Sequence, residues 1–221
     1  MEFKKLDPEL LNSSRQTAFL CLVDNSLSMH PFRTAMQEAL VNFKENILQS
    51  PENDEIIINI IPFGDKIEEN EFTSVEDMNV SYEPHGFFTI LYDAIVYGRQ
   101  RLNSYLSELR EYGISTKGIM LIFSDGSDNG SSESVKEAIE AVKALQSHDE
   151  GNIVGFVSFG CGARGVAEEL GIRKDNIWNT NATQEDLFKC FEVISKSVST
   201  VSRRVDFTSK EESGILFYDL V

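Results

Sequence analysis

Ala18-Phe19-Leu20-Cys21-Leu22-Val23-Asp24-Asn25-Ser26-Leu27-Ser28 sets six apolar residues directly ahead of a carboxylate and two hydroxyls. The apolar part is continuous rather than alternating, the pattern of a strand covered on both faces. Three further runs share it: Ile56–Phe63 (IIINIIPF), Ile119–Phe123 (IMLIF) and Ile153–Phe159 (IVGFVSF). Between the runs, apolar residues recur at steps of three and four. Phe32, Met36, Ala39, Phe43 and Ile47 predict one helix, and Leu91, Ile95, Gly98, Leu102, Leu106 and Leu109 a second. Val135, Ile139, Val142 and Leu145 predict a third, and Leu187, Phe191, Ile194, Val198 and Val201 a fourth. Strands alternating with helices predict an α/β fold, a mostly parallel sheet with helices on both faces.

Two local features refine this plan. Gly64-Asp65, between strand-like runs, predicts a hairpin turn, which makes Lys66–Met78 an antiparallel edge strand. A weaker strand is expected at Asn176–Thr180 around Trp178. With no repeat and no low-complexity linker, the chain reads as one domain. The tail 204–221 runs polar (DFTSKEES) and then apolar (GILFYDLV), as an appended strand or a docking segment would.

Composition narrows the function classes. The 221 residues are 41% hydrophobic and 25% charged, typical of a soluble globular protein large enough to fold without disulfides or a structural metal. Twenty Lys and Arg against 36 Asp and Glu leave a formal charge of −16. That balance argues against nucleic acid and anionic membrane as partners. Residues 51–80 alone hold nine acids against Lys66, a balance of −8. Such charge along an exposed edge discourages edge-to-edge pairing. No apolar run approaches the roughly 18 residues of a membrane span. Met1–Asn12 lacks a signal-peptide core. Cys21, Cys161 and Cys190 are odd in number and form no C-x-x-C pair, as expected of reduced thiols in a cytoplasmic protein.

In open parallel sheets, ligands bind beyond the carboxyl ends of the strands. After the first run comes Asp24-Asn25-Ser26-Leu27-Ser28, after the third Ser124-Asp125-Gly126, and before the second helix Gly86-Phe87-Phe88-Thr89. Asp24, Ser26, Ser28, Thr89 and Asp125 together make an all-oxygen set with two carboxylates. Such a set suits a hard divalent cation, Mg²⁺ or Mn²⁺ in preference to Ca²⁺. Two carboxylates just neutralise a dication, so an open coordination position can still attract a partner's Asp or Glu.

These motifs resemble the metal-ion-dependent adhesion site (MIDAS) of the von Willebrand factor A (VWA) domain: Asp24-x-Ser26-x-Ser28, Thr89 in G-x-x-T with Asp93-Ala94 four residues on, and Asp125-Gly126. The match covers roughly residues 17–203, leaving an N-terminal extension, 1–16, and the tail, 204–221. The resemblance implies a three-layer Rossmann-like fold with a six-stranded sheet and one antiparallel edge strand. It implies that Ser26, Ser28 and Thr89 touch the metal while Asp24 and Asp125 act directly or through water. It also implies a noncatalytic protein-interaction domain whose partner supplies an acidic residue to the metal. The short standalone form is similar to prokaryotic intracellular members, such as those associated with tellurium resistance. Asn25 and Leu27 depart from the pattern, standing where many members carry Thr/Ser and Gly.

Other readings compete. D-x-S-x-S could be a helix cap leading into Pro31. Gly160-Cys161-Gly162-Ala163-Arg164-Gly165 matches a dinucleotide-binding pattern, but follows a late strand and lacks the acid about 20 residues on. Asp24 with Mg²⁺ also resembles the nucleophile of phosphoryl-transfer hydrolases. Those enzymes need an acid two residues later, where this chain has Ser26; Asp128 is the available substitute. Of His30, His85 and His148, the first two lie beside the metal loops, where a solvated ring is the simpler expectation. Cys21 is expected to be an inert core thiol. Of Phe87 and Phe88, one is expected to face solvent at the rim and the other to pack under Thr89.

Overall fold

A computed structural model of the chain describes residues 14–51, 55–147, 152–160, 162–180, 183–203 and 216–217. Among these residues six strands and five α-helices follow one another: β1 (Arg15–Asp24), α1 (Arg33–Leu48), β2 (Ile56–Phe63), β3 (Thr73–Ser74), α2 (Leu91–Glu111), β4 (Ser115–Ser124), α3 (Val135–Leu145), β5 (Ile153–Phe159), α4 (Ala163–Glu169), β6 (Ile177–Thr180) and α5 (Gln184–Arg203). The strands lie in the order β3-β2-β1-β4-β5-β6, all parallel except β3. This is the α/β architecture expected, with β1 starting at Arg15, inside the segment read as an extension.

Alternation along β1 assigns its two faces. Ala18, Leu20 and Leu22 point into the core under α2, α3 and α4. Phe19, Cys21 and Val23 point into the core under α1 and α5. Burial on both sides is why the strand is apolar throughout. Gly98 lets α2 lie close to the sheet, since a Cβ there would stand 3.0 Å from Leu22 and 3.1 Å from Met120. Helix α3 starts at a capping box: the Ser134 hydroxyl accepts the Glu137 amide, and the Glu137 carboxylate accepts the Ser134 amide at 2.7 Å.

The edge strand is shorter than Lys66–Met78. The chain does reverse at Gly64-Asp65: Phe63 bridges Ile67 and the Glu68 amide reaches the Pro62 carbonyl at 2.9 Å. It then leaves the ladder, and only Thr73 and Ser74 pair with β2. Side chains explain the gap. Asn59 donates to the Asn70 carbonyl at 2.8 Å and Asn70 to the Ile60 carbonyl at 2.7 Å, bonds a regular ladder would make with backbone amides. Phe72 meanwhile turns inward and stacks on Tyr105 at 4.0 Å, with buried Arg101 paired to Glu71 beside it.

Helix α4 was not foreshadowed by the apolar spacing. In the tail, Leu216 and Phe217 are buried against the sheet. The Leu216 amide donates to Asn176 Oδ1 at 2.7 Å, and Phe217 meets Trp178 edge-on at 5.5 Å. The rest of 204–221 lies outside the described residues, as do 1–13, Cys161 and His148. Among the described residues, no helix is long and apolar enough to cross a membrane.

Candidate metal centre

Register places the candidate loops together. Asp24 ends β1 opposite Phe63, Val23 pairs with Phe123, and Ser124 ends β4 opposite Ser158. The chain therefore leaves the sheet at one edge from β1, β2, β4 and β5, and the central pair carries Asp24 and Asp125.

Asp24 is fully buried and both its oxygens are engaged. Oδ1 accepts the Ser26 amide at 3.0 Å and the Ser26 hydroxyl at 2.6 Å; Oδ2 accepts the Ser124 hydroxyl at 2.7 Å. Ser26 Oγ lies 3.0 Å from Ser28 Oγ. The helix-cap reading fails here. Ser26 precedes a 3-10 turn, Leu27–Phe32, yet its hydroxyl caps nothing because it is committed to Asp24.

The Thr89 loop lies against this turn. Ser26 and Gly86 form a bridge, the Leu27 amide donates to the Gly86 carbonyl at 2.7 Å, and the Asn25 carbonyl accepts the amides of His85 and Gly86. Gly86 is required by the crowding: a Cβ would stand 3.0 Å from the Asp65 amide nitrogen and 3.1 Å from Gly64 Cα. Thr89 itself is buried. Its amide donates to Asn129 Oδ1 at 2.8 Å, and its carbonyl accepts the amides of Asn129 and Gly130.

Asp125 is half-buried and accepts the Ser127 amide at 2.8 Å. The Gly126 amide donates to Ser124 Oγ at 3.0 Å, so Ser124 ties the Asp24 and Asp125 loops through one hydroxyl. Gly126 has φ +82°, and a Cβ there would stand 2.8 Å from Ala163 Cα. Gly126→Ala therefore meets both left-handed strain and a backbone clash. It should cost about 1–3 kcal/mol in urea unfolding, whereas Gly160→Ala, also left-handed but in open space, should cost less.

Electrostatics set Asp24 apart. Burial pushes its carboxyl above the ordinary carboxylate range and Asp125 adds to this, while hydrogen bonds from Ser26 and Ser124 oppose it. Burial, then the two carboxylates, also raise the Tyr82 phenol, whose hydroxyl donates to the Asp24 carbonyl at 2.6 Å. Among the described residues no Lys or Arg pairs with Asp24. A buried carboxylate beside a second acid, with no cationic side chain, is a site that a bound cation would relieve. No three His, Cys, Asp or Glu side chains converge among the described residues, so an ion here would lean on hydroxyls. The donors fit. An octahedral ion with oxygens at about 2.1 Å spaces adjacent ligands about 3.0 Å apart, the separation of the Ser26 and Ser28 hydroxyls.

Asp24, Ser26 and Ser28 thus form one bonded cluster, Asp125 faces it electrostatically, and Thr89 is set beside it through the backbone. Ser124 and Tyr82 were missed, being neutral residues with no motif of their own; a polar residue closing an apolar strand was the available signal at Ser124. Asp128 is occupied structurally, its Oδ1 accepting the Ser131 hydroxyl at 2.6 Å and the Tyr92 amide. His30 and His85 are exposed, His85 3.5 Å from Glu68. Cys21 is buried, and burial raises its thiol far above the ordinary range. Phe88 does not pack under Thr89. Phe87 is 77% and Phe88 56% exposed, so both rings stand at the rim.

No family model matches this sequence, and no curated protein matches it. Solved structures do match. The open conformation of the pilus adhesin SpaC from Lactobacillus rhamnosus GG has a TM-score of 0.68 and 13% identity, over 86% of this chain and 31% of that one. Manganese-loaded TRAP of Plasmodium vivax has a TM-score of 0.52 and 18% identity, over 80% of this chain and 74% of that one. The VWA domain of SpRpn10 has a TM-score of 0.50 and 13% identity, over 80% of this chain and 94% of that one. The chain thus spans less than a third of SpaC. Identities this low speak for the fold alone: the chain has a VWA-like α/β fold.

Proposed function

We propose that this chain is a noncatalytic protein-interaction domain that binds one divalent cation, Mg²⁺ or Mn²⁺, at a MIDAS-type site. Ser26, Ser28 and Thr89 ligate the ion, and Asp24 and Asp125 hold it directly or through water. A partner protein completes the shell with an Asp or Glu. The observation that carries this reading is the fully buried Asp24, whose carboxylate is bonded, among the described residues, to hydroxyls and an amide and faces Asp125. The ion would supply the positive charge that this carboxylate lacks, and an attractive point for an incoming acid. A neighbour of this fold that is an adhesin by name, SpaC, and another that carries manganese support it. A noncatalytic role is supported by Ser26, whose hydroxyl bonds Asp24 where a phosphoryl-transfer enzyme would place a general acid. Buried free thiols at Cys21 and Cys190 fit a cytoplasmic setting.

Titrating the chain with Mg²⁺ or Mn²⁺ should raise its melting temperature by linkage, and no rise with either ion would overturn the metal claim. The rise should shrink on acidification, because the ion needs an ionised carboxylate. Since Asp24 sits above the ordinary range, the loss should begin at a higher pH than an unperturbed aspartate, near 3.9, would impose. Thermal shifts with Mn²⁺ followed from about pH 7 down to about pH 4 check this; a rise still undiminished at the low end would contradict it.

A further inference from the structure

Exposed apolar side chains gather at the rim of the candidate metal centre. Among the described residues, the exposed large hydrophobic side chains are Leu27, Val41, Leu48, Phe87, Phe88 and Tyr112. Three of these six, Leu27, Phe87 and Phe88, stand on the two loops that carry Ser26, Ser28 and Thr89. The Leu27–Gly86 backbone bond sets those loops side by side. At 77% and 56% exposure the two phenylalanines contribute little to the core, and clustered exposed rings mark a contact surface.

Charge limits what can cover them. Beside the rim lie Asp65, which accepts the Phe88 amide at 2.6 Å, Glu68, and Glu83, the last paired with Arg33, while Lys66 lines the same pocket as Asp65 and Glu68. Asp24 and Asp125 already balance a dication, so one incoming carboxylate is held by the open coordination position rather than by net charge, and further acids meet Asp65 and Glu68, which outnumber Lys66 beside them. A purely polar segment would leave the three apolar side chains wet. A lone acid between large apolar residues satisfies both conditions.

We propose that this rim selects a protein segment in which a single Asp or Glu is flanked by large apolar side chains, which pack on Leu27, Phe87 and Phe88 while the carboxylate meets the metal. The inference rests on the metal-dependent reading above and adds the identity of the segment. Random peptides displayed on phage, selected on the immobilised full chain in Mn²⁺, separate the two. The expected winners carry one acid with Phe, Leu, Ile, Tyr or Trp beside it and are released by chelator. They should bind the double variant Phe87→Ser/Phe88→Ser about tenfold or more weakly, although its melting temperature and Mn²⁺-induced rise stay those of the wild type. Metal-dependent acidic peptides without apolar flanks, polyacidic winners, or equal binding to the double variant would overturn this inference and leave the metal-dependent reading standing. Winners indifferent to chelator would overturn both. An empty selection, on a chain whose thermal rise shows Mn²⁺ bound, would overturn the inference alone.

Discussion

Asp24→Ala should erase the entire metal-induced rise in melting temperature. With the ion at roughly a hundred times its Kd, linkage is worth about 2.7 kcal/mol, about 5–10 °C for a domain of this length. Asp24→Asn should lose the same rise and is the sharper test, since it keeps the shape. Its Oδ1 can still accept from Ser26, and Ser124 Oγ can turn to accept from its amide. In the metal-free wild type the folded-state pKa of Asp24 is raised. The group's contribution is therefore fully present when it is protonated, and is lost as pH rises through that value. At neutral pH the metal-free Asn variant should then melt at or above the metal-free wild type. A lower melting temperature would mean the carboxylate has a structural role that the ion does not explain. Mg²⁺-dependent phosphatase turnover that disappears in Asp24→Asn would establish phosphoryl transfer in place of adhesion.

Phe191→Ala should be among the most destabilising single changes in the chain. The ring is fully buried between α5 and the sheet, stacked on Phe123 at 5.1 Å and meeting Phe43 of α1 edge-on at 5.8 Å. Removing a buried phenylalanine costs about 3–5 kcal/mol, against a total of about 5–15 kcal/mol for a domain. Urea unfolding should show the midpoint fall with an unchanged slope. A loss under about 1 kcal/mol would mean α1 and α5 close over the space. Phe123 directly precedes Ser124 and Asp125, so the same cavity also loosens the floor of the candidate metal centre.

The fold was largely legible because its driving pattern is coarse. Runs such as Ala18–Val23 must be apolar on both faces to sit mid-sheet, and helices such as α2 must show one apolar stripe to lie on it. Helix α4 escaped because its core face consists of Ala163 and Ala167, which contribute almost no periodic signal, in a stretch punctuated by Gly162 and Gly165. The edge strand was overextended because composition cannot say when Asn59 and Asn70 will substitute side-chain bonds for a ladder. At the site, motif order named the loops but not their wiring. That Ser124 holds Asp24 follows from the β1–β4 register, which places two strand ends side by side across a hundred residues of sequence. Phe87 and Phe88 show the converse limit. Two consecutive aromatics in a loop cannot both face the core; that neither does, at 77% and 56% exposure, is visible only in the structure.

The docked tail has an optical consequence. Trp178 is the single tryptophan, and its indole lies against Phe217 at 5.5 Å, in a slot where Gly155 makes room for Leu216. Intrinsic emission from this chain is therefore a reporter of whether residues 216 and 217 are seated. Indole emission is an internal gauge of the tail, already built in, that needs no attached dye.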